Sequence, residues 1–235
     1  MKRILLTLLS LTVIFTARAE EPKNPATTPD LHKGTEKRIE QFNEISKKGE
    51  AQLVFLGDSI TQGWGGHAAI WDAAFSQYKP ANFGIGGDRT EHVLWRMDHG
   101  NFDGLKPKLV VLMIGTNNTG ARKAAEPAQQ TADGVKAIIE RLAKKCPDTK
   151  VLLLAIFPRG EKPDDKLRVH NTAINEILAK MDDGKKVHFL DIGKSFLQPD
   201  GTLTKEIMPD LLHLSPKGYQ IWADSIKDKV AELMK

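Results

Sequence analysis

A serine that directly follows a short apolar run could act as a nucleophile in this 235-residue chain. Four consecutive apolar residues, 53–56, are followed by Gly57, Asp58 and Ser59. The run predicts a strand buried on both faces, and open α/β sheets bind their ligands just past the carboxyl ends of such strands. Ser59 can serve as a nucleophile if the chain also supplies a base, an acid that orients the base, and donors for an oxyanion. A plainer interpretation is that Ser59 caps the start of a helix after a Gly-Asp turn.

A candidate base and its orienting acid lie together near the carboxyl terminus. Asp210 and His213 are three residues apart, so a helical turn would place both side chains on one face. An aspartate that accepts a hydrogen bond from Nδ1 of a histidine leaves Nε2 available to take a proton from a serine, and imidazole titrates near neutral pH. The same D-x-x-H pattern also fits a surface pair near a helix start, where acidic side chains are stabilised.

Two further loops contain donors suited to an oxyanion. Gly86 and Gly87 follow the second predicted strand, and a glycine lets its backbone N–H approach an anion because it has no Cβ. A dinucleotide-binding loop is disfavoured, since Arg89 occupies the last glycine position of G-x-G-x-x-G. Asn117 follows the third predicted strand, and its amide can also donate to an oxyanion. A tight turn and an Asx-turn are the plainer interpretations of these loops.

Five apolar runs alternate with amphipathic helical patterns along the chain. The near-continuous valine, leucine and isoleucine of two of the runs indicate strands that are covered on both faces. Helical spacing of apolar residues predicts one helix within 35–48 and another that begins at Ser215-Pro216. The alternation predicts a three-layer, doubly wound α/β domain whose candidate loops gather at one edge of a parallel sheet. The predicted strands are 53–56, 81–85, 109–114, 151–156 and 187–190.

Residues 1–19 have the pattern of a secretory signal peptide. Lys2 and Arg3 precede a mostly apolar run, and Ala17-Arg18-Ala19 fits a small-residue cleavage site. The run is shorter than the roughly 20 apolar residues that span a bilayer. We therefore predict an exported protein, periplasmic or secreted, that has no membrane span. Residues 20–50 are predicted to form a flexible leader and an N-terminal helix, followed by a single domain over 51–235.

Charge, cysteine and histidine content argue against several other classes of protein. Lys2, Arg3 and Arg18 supply three of the formal +4 charges, which leaves +1 after cleavage, so the basic pI gives no support for nucleic-acid binding. The single Cys146 cannot form an intramolecular disulfide. The histidines are dispersed and no cysteines are paired, so we predict no metal site. The histidines considered are His67, His92, His99, His170 and His188.

The candidate residues together resemble a known family. Gly57-Asp58-Ser59-Ile60, Gly87, Asn117 and the Asp210–His213 pair are similar, in this order, to the four sequence blocks of the SGNH (GDSL-type) hydrolases. Ile60 replaces the leucine of the family signature. Longer stretches resemble the platelet-activating-factor acetylhydrolase catalytic-subunit branch, and the resemblance covers residues 51–235. These stretches are 82–89, 92–96, 115–118 and 158–163.

The resemblance implies a serine esterase with a flavodoxin-like sheet of five parallel strands. It implies Ser59 as nucleophile, His213 as base and Asp210 as the orienting acid. It also implies an oxyanion hole made by the backbone N–H groups of Ser59 and Gly87 and the side chain of Asn117. No metal or organic cofactor is expected. Four neighbouring residues are expected to contact the substrate, namely Asp58, Arg89, Trp95 and Arg159.

The sequence therefore predicts an exported esterase that acts on small acyl esters, chiefly acetyl esters. O-acetylated glycans are the favoured substrates, because the best-known members of the resembled branch are intracellular and act on a phospholipid, whereas this chain is expected to leave the cytosol. Trp64, Trp71 and Trp95 could also stack on sugar rings, although Trp71 and Trp95 equally fit the cores of helices. One alternative is a lipid-directed acetylhydrolase or lysophospholipase. Another is a non-catalytic glycan-binding module, which should have lost a triad or oxyanion residue, and this chain has lost none.

Overall fold

A parallel sheet of five strands forms the centre of the computed structural model, which describes residues 23–120 and 127–235. The strands are β1 (Leu53–Gly57), β2 (Pro80–Gly84), β3 (Leu109–Met113), β4 (Lys150–Leu154) and β5 (Val187–Leu190). They pair in the order β2-β1-β3-β4-β5, with every pairing parallel. This is the flavodoxin-like order, so the predicted fold class is confirmed.

Helices precede the sheet, connect its strands and close the chain. Ser215 caps the last helix by accepting from the Gly218 N–H, and Pro216 is its first residue, as predicted. The helices are α1 (Glu36–Lys48), α2 (Ser59–Gln62), α3 (Ala68–Phe75), α4 (Thr90–Asp98), α5 (Thr116–Gly120), α6 (Ala128–Lys145), α7 (Lys166–Leu178) and α8 (Pro216–Leu233).

Both faces of the sheet are covered, which explains the uninterrupted apolar runs. In β1, Val54 and Leu56 point into a cluster with side chains of α1, α4, α6 and α7. Leu53 and Phe55 point the other way, into a cluster with α3 and α8. Successive side chains of a strand alternate between faces, so a strand with a helical layer on each side must be apolar throughout. The three-layer arrangement follows from this alternation.

The segment before α1 is packed on the domain, whereas the sequence predicts a flexible leader. Pro25–Thr27 forms a short 3-10 turn, and Ala26 is completely buried. The Asn24 side chain donates to the backbone oxygen of Gln130 at 3.1 Å, and the Thr90 hydroxyl donates to the backbone oxygen of Ala26 at 2.8 Å. These contacts tie residues 24–27 to α6 and to the start of α4.

Residues 1–19, the predicted signal peptide, lie outside the described residues. In the part of the chain that the structure describes, no helix combines the length and the apolar character needed to cross a membrane.

Candidate active site

Ser59 lies at the first position of α2, immediately beyond the carboxyl end of β1. The cap of this helix is Asp58, whose Oδ1 accepts from the Ile60 N–H at 3.0 Å, so the alternative that Ser59 itself is the cap is wrong. Gly57 permits close packing of the strand and the helix, because a Cβ at this position would collide with Thr61 Oγ1 and the backbone oxygen of Met113. The serine hydroxyl is therefore presented at the sheet edge by a turn that does not use it.

His213 and Asp210 reach Ser59 from the loop before α8. Ser59 Oγ lies 2.8 Å from His213 Nε2, and His213 Nδ1 lies 2.6 Å from Asp210 Oδ2. A carboxylate can only accept, so the ring proton is on Nδ1 and Nε2 accepts from the serine hydroxyl. Asp210 and His213 therefore lie on the same face of the turn, as predicted, and the His213 ring points at Ser59.

The loop itself holds the Asp210 carboxylate in place. Its Oδ1 accepts from the backbone N–H groups of Leu212 and His213, at 3.0 Å and 2.7 Å. Partial burial opposes ionisation, but the hydrogen bonds from the His213 side chain and from these two N–H groups hold the pKa of Asp210 below its ordinary value. The turn includes Leu211 in the left-handed region, at φ 61°. Asp210 therefore remains an anion when it is bonded to the imidazole.

The three expected oxyanion donors come from three neighbouring loops. The Ser59 N–H is in the first turn of α2, where backbone N–H groups have no acceptor within the helix. Gly87 has φ 79°, which favours glycine, and its N–H has no hydrogen-bond acceptor among the described residues. The Asn117 amide donates to the backbone oxygen of Asp88 at 2.9 Å, which leaves its second amide hydrogen available. The Gly86 N–H, by contrast, is occupied by Gln62 Oε1 at 2.6 Å.

Asp88, which no sequence motif singled out as a site residue, connects two of these donors. Its side chain is 1% exposed, and its two oxygens contact His32 Nδ1 at 2.9 Å and Arg96 Nε at 3.0 Å. Arg96 is completely buried and also donates to Asn101 and to the backbone oxygen of Phe83. A buried carboxylate with two such partners fixes the loop that contains Gly87. The position of Asp88 directly after Gly86-Gly87 was the signal in the sequence.

Asp58 does not face the substrate, contrary to expectation. The residue is completely buried, Oδ1 is used in the helix cap, and Oδ2 has no hydrogen-bond partner among the described residues. Burial raises the pKa of Asp58 to about 7, against the lowering effect of the Ile60 N–H. Asp58 is therefore a structural neighbour of the nucleophile.

The two arginines expected to contact substrate both bind protein groups. Arg159 Nη1 donates to the backbone oxygen and the hydroxyl of Thr116, each at 3.1 Å, beside Asn117. Arg89 Nε donates to Glu91 at 2.6 Å, and its side chain is 22% exposed. Both side chains border the site loops, but their guanidinium groups already have acceptors. Arg159 supports the loop that presents Asn117.

The tryptophans do not offer sugar-stacking faces at the site. Trp64 is 1% exposed and packs among Phe55, Tyr219 and Trp222. Trp71 is half-buried against Phe55 in the same cluster. Trp95, in the carboxyl-terminal half of α4, packs against the other core cluster and stacks on His99 with ring centroids 3.7 Å apart. The expectation that Trp64 binds sugar is therefore wrong, and the helix-core interpretation describes the other two.

Within residues 23–120 and 127–235, one group of side chains approaches the spacing of a metal site. Ligand atoms of His32, Asp88 and His92 lie within 4.8 Å of one another. However, Arg96 occupies one Asp88 oxygen, and Arg89 Nη2 lies 3.1 Å from His92 Nε2. Two guanidinium groups would repel a cation here, so these residues are a poor fit for a metal.

Known proteins similar to this chain are esterases and acylhydrolases. A model of the GDSL-like Lipase/Acylhydrolase family matches residues 55–221. The human protein named platelet-activating factor acetylhydrolase IB subunit alpha1 is 41% identical over 180 residues, 76% of this chain and 75% of that protein. A solved GDSL-like lipase from Bacteroides thetaiotaomicron has TM-score 0.64 at 23% identity, covering 83% of this chain and 97% of its own. An acetyl xylan esterase has TM-score 0.63 at 24% identity, covering 76% and 98%. Both solved structures are similar to this chain in fold.

Proposed function

The chain belongs to the GDSL-like lipase/acylhydrolase family and is a carboxylic ester hydrolase, and on this premise we propose that it hydrolyses acetyl esters with Ser59 as nucleophile. The observation that carries the proposal is the continuous line of hydrogen bonds from Ser59 Oγ through His213 to Asp210, at 2.8 Å and 2.6 Å. A general base within hydrogen-bond reach of a hydroxyl, and oriented by a carboxylate, is the arrangement needed to activate a serine.

In the first half of the reaction, His213 Nε2 takes the proton of Ser59 as Oγ attacks the ester carbonyl carbon. The N–H groups of Ser59 and Gly87 and the Asn117 amide stabilise the negative oxygen of the tetrahedral intermediate. The imidazolium then gives its proton to the departing alcohol oxygen, which leaves an acyl group on Ser59. Asp210 remains ionised and stabilises the imidazolium.

In the second half, a water molecule takes the place of the alcohol. His213 removes a proton from this water as it attacks the acyl carbon, and the same donors hold the oxyanion. The intermediate collapses, the carboxylic acid leaves, and His213 returns the proton to Ser59 Oγ. All the catalytic groups in this cycle are side chains and backbone groups of this chain.

The preference for acetyl groups is supported by the human relative, whose name describes an acetylhydrolase at 41% identity. On the alcohol side, O-acetylated glycans are the candidate that export through residues 1–19 would favour. Acetylated phospholipids are the second candidate, and the name of the same relative favours them. An acetyl xylan esterase shares the fold at 24% identity. A glycan-binding module without catalysis is disfavoured, because the chain belongs to an acylhydrolase family and such a module has no need for the ordered Ser59–His213–Asp210 contacts.

The catalytic proposal is tested by replacing the nucleophile. Ser59→Ala should abolish hydrolysis of p-nitrophenyl acetate, and a fluorophosphonate probe should label wild type at Ser59. Ser76→Ala is the matched control, because Ser76 is an exposed serine beside the amino end of β2, and it should keep the wild-type rate. Wild-type turnover by Ser59→Ala would contradict the proposal.

The leaving group and the export signal need separate measurements. Release of the carboxylic acid from acetylated xylan, from an acetyl phospholipid and from longer acyl esters, compared at equal ester concentration, separates the two substrate candidates.

Export predicts that the protein recovered outside the cytoplasm begins at Glu20. An intact amino terminus that begins at Met1 would contradict the signal peptide.

A further inference from the structure

A second histidine–aspartate pair lies against the oxyanion side of the site. His32, in the segment before α1, contacts Asp88 Oδ1 through Nδ1 at 2.9 Å. Because the carboxylate only accepts, the neutral ring donates from Nδ1. The pair joins residues that are 56 positions apart. The segment before α1 thus places one of its side chains on a buried carboxylate of the candidate active site.

The His32 ring also covers Gly87. A Cβ at Gly87 would lie 3.1 Å from His32 Cε1, so the ring packs directly over the glycine. His92 also constrains the His32 ring, because the two rings stack with centroids 4.5 Å apart and an interplanar angle of 24°. The ring is therefore held by a hydrogen bond at its edge and by packing on its face. Its side chain is 27% exposed.

The segment that carries His32 is anchored independently of this pair. Ala26 is buried and its backbone oxygen accepts from Thr90, and the Asp30 N–H donates to the backbone oxygen of Glu91 at 3.2 Å. On the other side of His32, Arg38 Nε donates to the backbone oxygen of Gly84 at 2.7 Å. Anchors on both sides of His32 reduce the entropy lost when its ring is ordered.

Asp88 transmits this support to two of the proposed oxyanion donors. Its backbone oxygen accepts from the Asn117 amide, and its N-terminal neighbour is Gly87. A shift of Asp88 would therefore change the aim of both donors. We propose that His32 is a positioning residue of this esterase, which holds Asp88 and covers Gly87 so that the Gly87 N–H and the Asn117 amide point at the developing oxyanion. The proposal rests on the proposed esterase function.

The expected effect is on kcat, because the oxyanion forms only in the transition state. Arg96 still holds the other Asp88 oxygen, so loss of His32 should loosen the loop without releasing it. Since a misplacement of about 1 Å can cost on the order of 100-fold in rate, we expect His32→Ala to lower kcat roughly 10- to 100-fold. KM should stay within about twofold, because the ground-state ester needs no oxyanion hole.

Two isosteric variants separate the role of each ring nitrogen. In His32→Asn the amide nitrogen can replace Nδ1 and donate to Asp88, so most of kcat should return. In His32→Gln the polar end lies near the position of Nε2, and kcat should stay low. His99→Ala is the control, because His99 is also a stacked histidine, on Trp95, but lies at the far end of α4. Its kcat should equal that of wild type.

The experiment is steady-state hydrolysis of p-nitrophenyl acetate by the four variants, with kcat calculated per folded molecule from thermal unfolding curves. Wild-type kcat in His32→Ala, or rescue by glutamine and not by asparagine, would overturn the proposal. A fall in activity that only follows the folded fraction would overturn it as well. Inhibition by EDTA with recovery on adding Zn²⁺ would also do so, because it would assign the cluster to a metal. Failure of the esterase function itself would appear differently, as full activity in Ser59→Ala.

Discussion

The Asn117 amide donates a hydrogen bond to the backbone oxygen of Asp88, 2.9 Å away. This contact joins the loop after β3 to the loop after β2, two strands that lie on opposite sides of β1. One amide hydrogen is used in this bond, and the other remains available. The bond that links the two loops therefore also sets the orientation of the amide.

Asn117→Ala is expected to lower kcat by roughly 10²- to 10³-fold, the range measured for loss of one oxyanion donor in a known hydrolase. The substitution removes both the donor and the link to Asp88. Asn117→Asp keeps the shape but places an acceptor where the oxyanion forms, so it should be at least as inactive. The measurement is kcat and KM on p-nitrophenyl acetate, and an unchanged kcat in Asn117→Ala would remove this residue from the oxyanion hole.

Asp210→Asn tests whether the carboxylate orients the base. An asparagine amide that donated to Nδ1 would force the ring proton onto Nε2, so the histidine could no longer accept from Ser59. We expect kcat to fall by roughly 10²- to 10⁴-fold. Asp200→Asn is the control, because Asp200 is also an exposed turn aspartate, with Oδ1 accepting from the Thr202 N–H. Equal rates in the two variants would contradict the role of Asp210.

The fold and the main site contacts could be predicted because their signals are local. Each strand is an uninterrupted apolar run, since both faces of the sheet are covered by helices. Parallel strands bring their carboxyl ends to one edge, so the order of the loops along the chain was enough to bring Ser59 and His213 together. The contact between Asp210 and His213 could be predicted because the two residues are only three positions apart.

Most of the predictions that were wrong concern residues whose placement is set by contacts between distant parts of the chain. The composition of residues 21–30 resembles a flexible leader, and nothing local shows that Ala26 enters a gap between α4 and α6 or that His32 meets Asp88. Trp64 follows the nucleophile closely in sequence, yet its ring turns into the core because Trp222 and Tyr219 of α8 pack against it. Asp58 was misassigned for a different, local reason, since its cap contact with the N–H of Ile60, two residues further on, turns the carboxyl inward.

Asp58 should make the stability of the protein depend on pH. Burial raises its pKa from 3.8 to about 7, so between these values the folded protein keeps a proton that the unfolded chain releases. The free energy of unfolding therefore decreases as pH rises through this window. Asp58→Asn keeps an oxygen for the Ile60 N–H and does not titrate. Relative to this variant, wild type should lose on the order of 3 kcal/mol between pH 4 and pH 7.

The measurement for Asp58 is urea unfolding of both proteins at several pH values in that range. Each free energy is extrapolated to water, and the difference between the two proteins is plotted against pH. A line that falls with rising pH supports a buried, protonated carboxyl. A difference that stays constant from pH 4 to pH 7 would contradict the raised pKa.

Gly57→Ala should destabilise the junction of β1 and α2 that presents Ser59. The new Cβ would collide with Thr61 Oγ1 and with the backbone oxygen of Met113. Since overpacking of a rigid core costs roughly 1 to 3 kcal/mol and shifts backbone, both the free energy of unfolding and kcat should fall. Gly65→Ala is the matched control, because nothing lies within 4 Å of a Cβ at that exposed position. Urea unfolding and ester hydrolysis of the two variants check this, and equal stabilities would show that the junction can relax around a methyl group.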